Sequence, residues 1–255
     1  MYKKLAVAML CGSLAVASAY AADEKKGEKG EAPHWGYEGH GAPAKWGDLQ
    51  PDFATCKLGA EQSPIDIRGA AKADLPKLGL AYTAGAAEVV NNGHTIQVNL
   101  SAGGTATLPT GAYQLLQFHF HTPSEEKIGG KAYPLVAHLV HRNAEGKLAV
   151  VAVLFKEGKE NAALAPVFAA MPAKAEDKAP LKDGFNPASI LPAKLGYYAF
   201  VGSLTTPPCS EGVRWQVLKE PVEISKAQLA SFKKLYAMNA RPVQPLGKRV
   251  VQESK

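Results

Sequence analysis

Three histidines set the chemistry this chain can offer. The segment Gln117-Phe118-His119-Phe120-His121 places two of them two residues apart, and Leu135-Val136-Ala137-His138-Leu139-Val140 supplies a third. Side chains at i and i+2 of a strand share a face, so His119 and His121 point one way while Phe118 and Phe120 enter an apolar layer. Between the segments, Pro123, Gly129, Gly130 and Pro134 turn the chain. The second segment can therefore return antiparallel, bringing His138 to about 5 Å laterally from its neighbours. Three neutral imidazoles converging on one point suit zinc. With only three protein ligands, the fourth tetrahedral position is left to water, which is the catalytic and not the structural pattern.

Such a constellation needs a sheet to hold it. Alternating or apolar runs predict strands over residues 95–100, 113–121, 135–141, 148–155 and 213–218. Ser225 ahead of residues 227–235 predicts a capped helix, and residues 161–171 a second one. The expected fold is mainly β: a single domain on a large, mostly antiparallel central sheet, with short surface helices and no internal repeat.

Further motifs occur in order along the chain: His34-Trp35-Gly36-Tyr37, Gln62-Ser63-Pro64-Ile65-Asp66-Ile67, Asn91-Asn92-Gly93-His94, Gly202-Ser203-Leu204-Thr205-Thr206-Pro207-Pro208-Cys209 and Arg241-Pro242-Val243-Gln244-Pro245-Leu246. Together with the histidine strands, this set resembles the α-class carbonic anhydrases, and within them the secreted bacterial branch. The resemblance implies a zinc enzyme that converts carbon dioxide and water reversibly to bicarbonate and a proton. Its ligands would be His119, His121 and His138, and the attacking hydroxide would come from zinc-bound water of pKa about 7, the value established for carbonic anhydrases as a class. The alternative is a catalytically weak zinc-binding module of the same family.

The resemblance also assigns the pocket. Val140, Val150, Leu204 and Trp215 would form an apolar wall for carbon dioxide, with Val140 sharing the His138 face. Thr205 would accept a hydrogen bond from the attacking hydroxide and donate its own to Glu125, fixing the orientation of the hydroxide, while Thr206 would contact bicarbonate. Gln117 shares the His119 face and can accept its outer N–H; the carbonyl of Asn239 would do the same for His121. His34, His40 and His141 are expected to be structural or surface residues.

Proton removal sets a further requirement. An acid of pKa near 7 releases protons to water at on the order of 10³ s⁻¹, given recombination capped at about 10¹⁰ M⁻¹s⁻¹. Zinc hydroxide in carbonic anhydrases sustains about 10⁶ s⁻¹, so a shuttle is needed. His94 titrates in the right range and resembles the shuttle position of the family.

One position departs from the pattern. The family commonly has Glu two residues before the third zinc histidine, and His directly after the Thr-partner Glu. This chain has Val136 and Glu126 there. Either the site is weakened, or Glu126 supplies the missing acceptor to His138, directly or through one water.

The chain begins Met1-Tyr2-Lys3-Lys4, continues with a short apolar stretch from Leu5 to Val16, and offers Ala19-Tyr20-Ala21 as a cleavage site. This predicts a signal peptide over residues 1–21 and no stable membrane insertion after cleavage. Residues 22–32, rich in Lys, Glu and Gly, predict a flexible charged leader ahead of a catalytic domain over residues 33–255. Cleavage removes Cys11 and leaves Cys56 and Cys209, an even pair in an oxidising compartment. Their pairing resembles the single bridge of bacterial family members. A periplasmic or secreted location follows.

The 29 basic residues include Lys3 and Lys4, so 27 would remain against 23 acidic ones, a net charge of +4. No Lys/Arg block interleaves with aromatics, and no nucleic-acid partner is expected. The expected partner is the small-molecule substrate; a homodimer is left open.

Overall fold

The computed structural model describes residues 34–255, so the expected signal peptide and most of the leader lie outside the described residues. Everything described falls in one unit, Ala32–Lys255. Among the described residues, 13 strands form one sheet. Its order is Lys178–Phe185, Gly85–Asn91, Ile96–Leu100, Gly111–His121, Leu135–Arg142, Leu148–Glu157, Glu211–Leu218, Tyr197–Ser203, Gln252–Ser254 and Ala71–Ala73. The Gly79–Tyr82 and Gly104–Leu108 strands extend from Gly111–His121, and Val222–Ile224 lies beside Leu148–Glu157. Pairing is antiparallel through the centre; Leu148–Glu157 runs parallel to Glu211–Leu218 and Val222–Ile224, as Gln252–Ser254 does to Ala71–Ala73.

The sheet has two unlike faces because its central strands alternate. One face buries Phe118, Phe120, Leu139 and Val151, and is closed by the Lys226–Leu235 helix through Leu229 and Phe232. Ser225 and Gln228 form a reciprocal capping box that fixes where this helix starts. The other face carries the histidines beside Val136, Val140, Val150 and Trp215. Fully burying an aromatic or aliphatic side chain contributes about 1.5–3 kcal/mol, so both layers hold the sheet rigid beneath the site.

A bulge in Gly111–His121 lets one strand serve both faces. Register shifts between Leu115 and Gln117 against Leu135–Arg142. Uninterrupted alternation would put Tyr113 and Leu115 on the side of Gln117, His119 and His121. With Leu116 as the extra residue, Tyr113 and Leu115 instead join Phe118 and Phe120 in the core.

The 161–171 helix is shorter than expected, covering only Ala165–Ala169. Asn161 Oδ1 accepts the Leu164 N–H at 3.1 Å, so the chain enters through a side-chain-closed turn. Pro172 follows the segment. Lys178–Phe185 escapes the strand pattern because it holds Pro180, Asp183 and Gly184, which suits an edge strand.

Candidate metal centre

Register builds the site. His119 lies directly opposite His138, and His121 opposite Val136, across the antiparallel pair. The ring centroids of His119, His121 and His138 are 5.0, 5.5 and 4.8 Å apart in their three pairings. One nitrogen from each lies within 4.8 Å of the others.

The outer nitrogens are all engaged. His119 Nδ1 meets Gln117 Oε1 at 2.9 Å, His121 Nδ1 donates to the Asn239 carbonyl at 2.7 Å, and His138 Nε2 lies 3.1 Å from Glu126 Oε2. Each acceptor holds a proton on the outer nitrogen, leaving Nε2 of His119, Nε2 of His121 and Nδ1 of His138 as lone-pair donors facing inward. His121 Nε2 is buried without a hydrogen-bond partner, a costly state for a polar atom. Three convergent imidazole lone pairs, one orphaned in the interior, are a donor set fitted to a borderline-soft cation such as zinc.

Electrostatics favour neutral rings at two positions. Burial pushes His119 down to about 3 and His121 well below its ordinary value, helped in each case by neighbouring imidazoles. At His138 burial again acts downward, but the carboxylates of Glu126 and Glu125 outweigh it and raise the value.

Glu125 is fully enclosed beside this group. Its Oε1 accepts the Arg241 backbone N–H at 2.8 Å, and its Oε2 lies 3.5 Å from His121 Nε2 and 3.8 Å from His138 Nδ1. Burial pushes its carboxyl up to about 8; His138 opposes this, Glu126 adds to it, and Thr205 and the Arg241 N–H favour the charged form. The Thr205 hydroxyl stands beside this carboxylate.

Val140, Val150 and Trp215 belong to one apolar cluster, with Leu204 packed against it. Trp215 meets His138 edge-on at 4.9 Å and donates its indole N–H to the Ser203 carbonyl at 3.0 Å. Thr205 is buried and Thr206 half-buried in the loop after Tyr197–Ser203. That loop is tied down at Cys209, which is disulfide-bonded to Cys56 across 153 residues and whose N–H donates to the Thr206 carbonyl at 2.9 Å.

His94 is half-buried, with its ring stacked on Trp35 at 3.6 Å and on His34 at 5.0 Å. Burial, with His34 beside it, lowers it to about 4. Asn239 connects this loop to the histidine strand: its amide donates to the carbonyls of His94 and Phe120 at 3.1 and 2.9 Å and accepts the Thr122 N–H at 2.8 Å. His141 faces away from the site and meets the Tyr82 hydroxyl at 2.8 Å.

Two contributors had no role in the sequence reading. Arg241 is buried and donates to Gln62 Oε1 and to the Ser63 and Cys56 carbonyls at 2.8–2.9 Å, while its backbone holds Glu125. Tyr37 buries an unpartnered hydroxyl within the field of Glu125. Both sit in motifs legible in the sequence, but only tertiary contacts across up to 185 residues give them their neighbours.

Comparison with known proteins agrees with this geometry. The sequence profile of eukaryotic-type carbonic anhydrases matches residues 41–255. A carbonic anhydrase of Pectobacterium carotovorum is 47% identical over 222 residues, covering 87% of this chain and 91% of that protein. Among solved structures, an alpha-carbonic anhydrase of Thermovibrio ammonificans in complex with sulfanilamide superposes with a TM-score of 0.84 at 48% identity, covering 87% of this chain and 99% of the other. A hyperthermostable carbonic anhydrase from a hydrothermal vent chimney gives 0.85 at 44% identity, covering 87% and 100%. With a histidine triad, a closed disulfide and a mixed sheet all in place, the chain belongs to the eukaryotic-type, or alpha, carbonic anhydrase family.

Proposed function

We propose that this chain catalyses the reversible hydration of carbon dioxide to bicarbonate and a proton, with zinc held by His119, His121 and His138. The observation that carries the reading is the set of three inward imidazole nitrogens, each fixed by an acceptor on its outer side. Bound there, zinc supplies a Lewis acid that lowers the pKa of water to about 7, the value established for carbonic anhydrases as a class.

The remaining work belongs to the chain. Val140, Val150, Leu204 and Trp215 form a dry wall that accepts an apolar molecule and excludes competing water. Thr205, beside Glu125, would accept a hydrogen bond from the attacking oxygen and so direct its lone pair at the carbon. Glu125 accepts the Thr205 hydroxyl hydrogen bond, a role that calls for its charged form; burial opposes that form, while the Arg241 N–H and the Thr205 hydroxyl favour it. Thr206 contacts the product anion. His94 carries the released proton outward, which requires its ring to leave the Trp35 stack, where it stays neutral at pH 7.

Glu126 takes the place of the carboxylate that Val136 lacks. It is completely buried, Val136 is a fully buried apolar residue, and Glu126 Oε2 lies at hydrogen-bond distance from His138 Nε2. On this reading the carboxylate has moved while its role is kept, which favours a competent enzyme over a weak zinc-binding module. Residues 1–21 act as a signal peptide and 22–32 as a leader, and the catalytic domain of residues 33–255 works in the periplasm or outside the cell. The Cys56–Cys209 bridge supports an oxidising compartment.

The test is a carbon dioxide hydration assay on the purified protein before chelation, after it, and after zinc is returned. Activity that follows zinc content supports the proposal; undiminished activity in the zinc-free protein defeats it.

A further inference from the structure

The turn that presents His94 is held by groups with no part in the chemistry described so far. Residues 92–95 join the Gly85–Asn91 and Ile96–Leu100 strands, which pair antiparallel up to Asn91 and Ile96. Inside the turn, Asn92 Oδ1 accepts the N–H groups of His94 and Thr95 at 3.0 and 2.9 Å, and Gly93 takes a φ of 80°, a left-handed conformation that favours glycine. These bonds give the turn its shape. They do not fix where it stands relative to the histidine strands.

Two side chains from one segment fix that. The Asn239 amide donates to the His94 carbonyl at 3.1 Å, while its own carbonyl holds His121. Three residues earlier, the Tyr236 hydroxyl donates to Asn91 Oδ1, which also accepts the Gly93 N–H at 3.2 Å. Asn91 is buried and its Nδ2 donates to the Pro172 carbonyl at 2.9 Å, so its oxygen is turned to Tyr236 and Gly93. Burial pushes the Tyr236 hydroxyl up to about 12, with Glu176 adding to this and the Gly93 N–H opposing it. The group therefore keeps its proton at neutral pH and stays a donor. The Tyr236 ring lies 5.9 Å from Phe232, and Phe232 lies 6.0 Å from Phe120, the residue between His119 and His121. A packed path thus runs from the strand of the two histidines through Tyr236 and Asn91 to the turn.

We propose that Tyr236, acting through Asn91, is a positioning residue for proton removal: it holds the Gly93-His94 turn at a constant reach from the three histidines, so that the His94 ring can leave the Trp35 stack and return while its backbone stays in place. This role rests on His94 serving as the shuttle. A misplacement of about 1 Å in a reacting group can cost on the order of 10²-fold in rate. Loss of one hydrogen bond among several anchors is milder, about 2- to 10-fold in the equilibrium for opening the turn.

The experiment compares the zinc-loaded full chain with Tyr236→Phe, His94→Ala and the double variant by stopped-flow hydration in dilute buffer. Phe keeps the ring packing and removes only the hydroxyl, and Asn91 Oδ1 retains the Gly93 N–H. The proton leaves after bicarbonate does, so its removal enters kcat and not kcat/KM. Tyr236→Phe is expected to lower kcat about 3- to 10-fold, with kcat/KM within about 2-fold of the parent, and added imidazole should restore it. In the His94→Ala background the same change should cause no further loss of kcat. Hydrogen exchange followed by NMR should be about 2- to 10-fold faster at the Gly93 and His94 amides of Tyr236→Phe. A kcat equal to that of the parent, while His94→Ala is slow, overturns the proposal. So does a parallel fall of kcat and kcat/KM, or an equal loss in the His94→Ala background. If His94→Ala is itself as fast as the parent, the shuttle reading fails and the role of Tyr236 falls with it.

Discussion

Removal of the Glu126 carboxylate tests how this chain holds its third histidine. Glu126 is fully buried and its Oε2 lies 3.1 Å from His138 Nε2, with Oε1 at the same distance but without hydrogen-bond alignment. A hydrogen bond to a charged group contributes about 1.5–3 kcal/mol. At about 1.4 kcal/mol per factor of ten, that is roughly 10- to 100-fold in zinc affinity. The same range describes loss of an outer partner from a ligating histidine. Glu126→Ala should therefore bind zinc roughly 10- to 100-fold more weakly and release it faster to excess chelator. Glu126→Gln keeps an acceptor oxygen without the charge and should lose less. Val136→Glu alone would crowd a further carboxylate against Glu125 and Glu126 and should also weaken the site. Combined with Glu126→His, it should restore the arrangement common in the family. Thermal melting of each zinc-free variant separates a folding defect from a site defect. Zinc affinity and release in Glu126→Ala within twofold of the parent, with melting unchanged, would refute the reasoning.

Other outcomes follow from the same geometry. His119→Ala, His121→Ala and His138→Ala should each lower zinc content, read by atomic emission, and abolish hydration; full activity in a zinc-depleted variant contradicts the triad. His94→Ala should slow turnover in dilute buffer and be rescued by imidazole, and Trp35→Leu should raise the His94 pKa from about 4 toward its ordinary value, read by NMR titration. His141, buried and accepting from Tyr82, is held down to about 4 chiefly by burial. Since the unfolded chain protonates it near 6.5, its contribution is complete above that pH and is lost as pH falls toward 4, up to roughly 3 kcal/mol. His141→Gln should flatten the melting temperature against pH in that window; a parallel curve argues against it. Cys56→Ser with Cys209→Ser should cost about 2–5 kcal/mol in denaturant unfolding and loosen the Thr205 loop. A smaller loss would show that the loop is held by other contacts.

Much of the site could be read from the chain because strand periodicity is local. The spacing of His119 and His121 dictates a shared face, and the turn residues before Leu135 dictate the return that presents His138. Gln117, on that same face, was reachable by the same argument. Strands were legible in runs such as residues 135–141 and 148–155 but were not read at Gly85–Asn91, at Tyr197–Ser203 despite its aromatic residues, or at Lys178–Phe185, where edge position tolerates Pro180. Other features depended on neighbours distant in sequence. The bulge at Leu116 is set by pairing with Leu135–Arg142, and no local pattern announces it. Stacking of His94 on Trp35 joins segments that only the folded sheet brings together. Sequence posed two options for Glu126, and its carboxylate is found buried and turned to His138 only in the folded structure. Asn239 reaches His121 across 118 residues, and Arg241 reaches Cys56 across 185. Local residue spacing specifies which groups share a face, whereas long-range packing specifies which nitrogen faces inward and what holds it there.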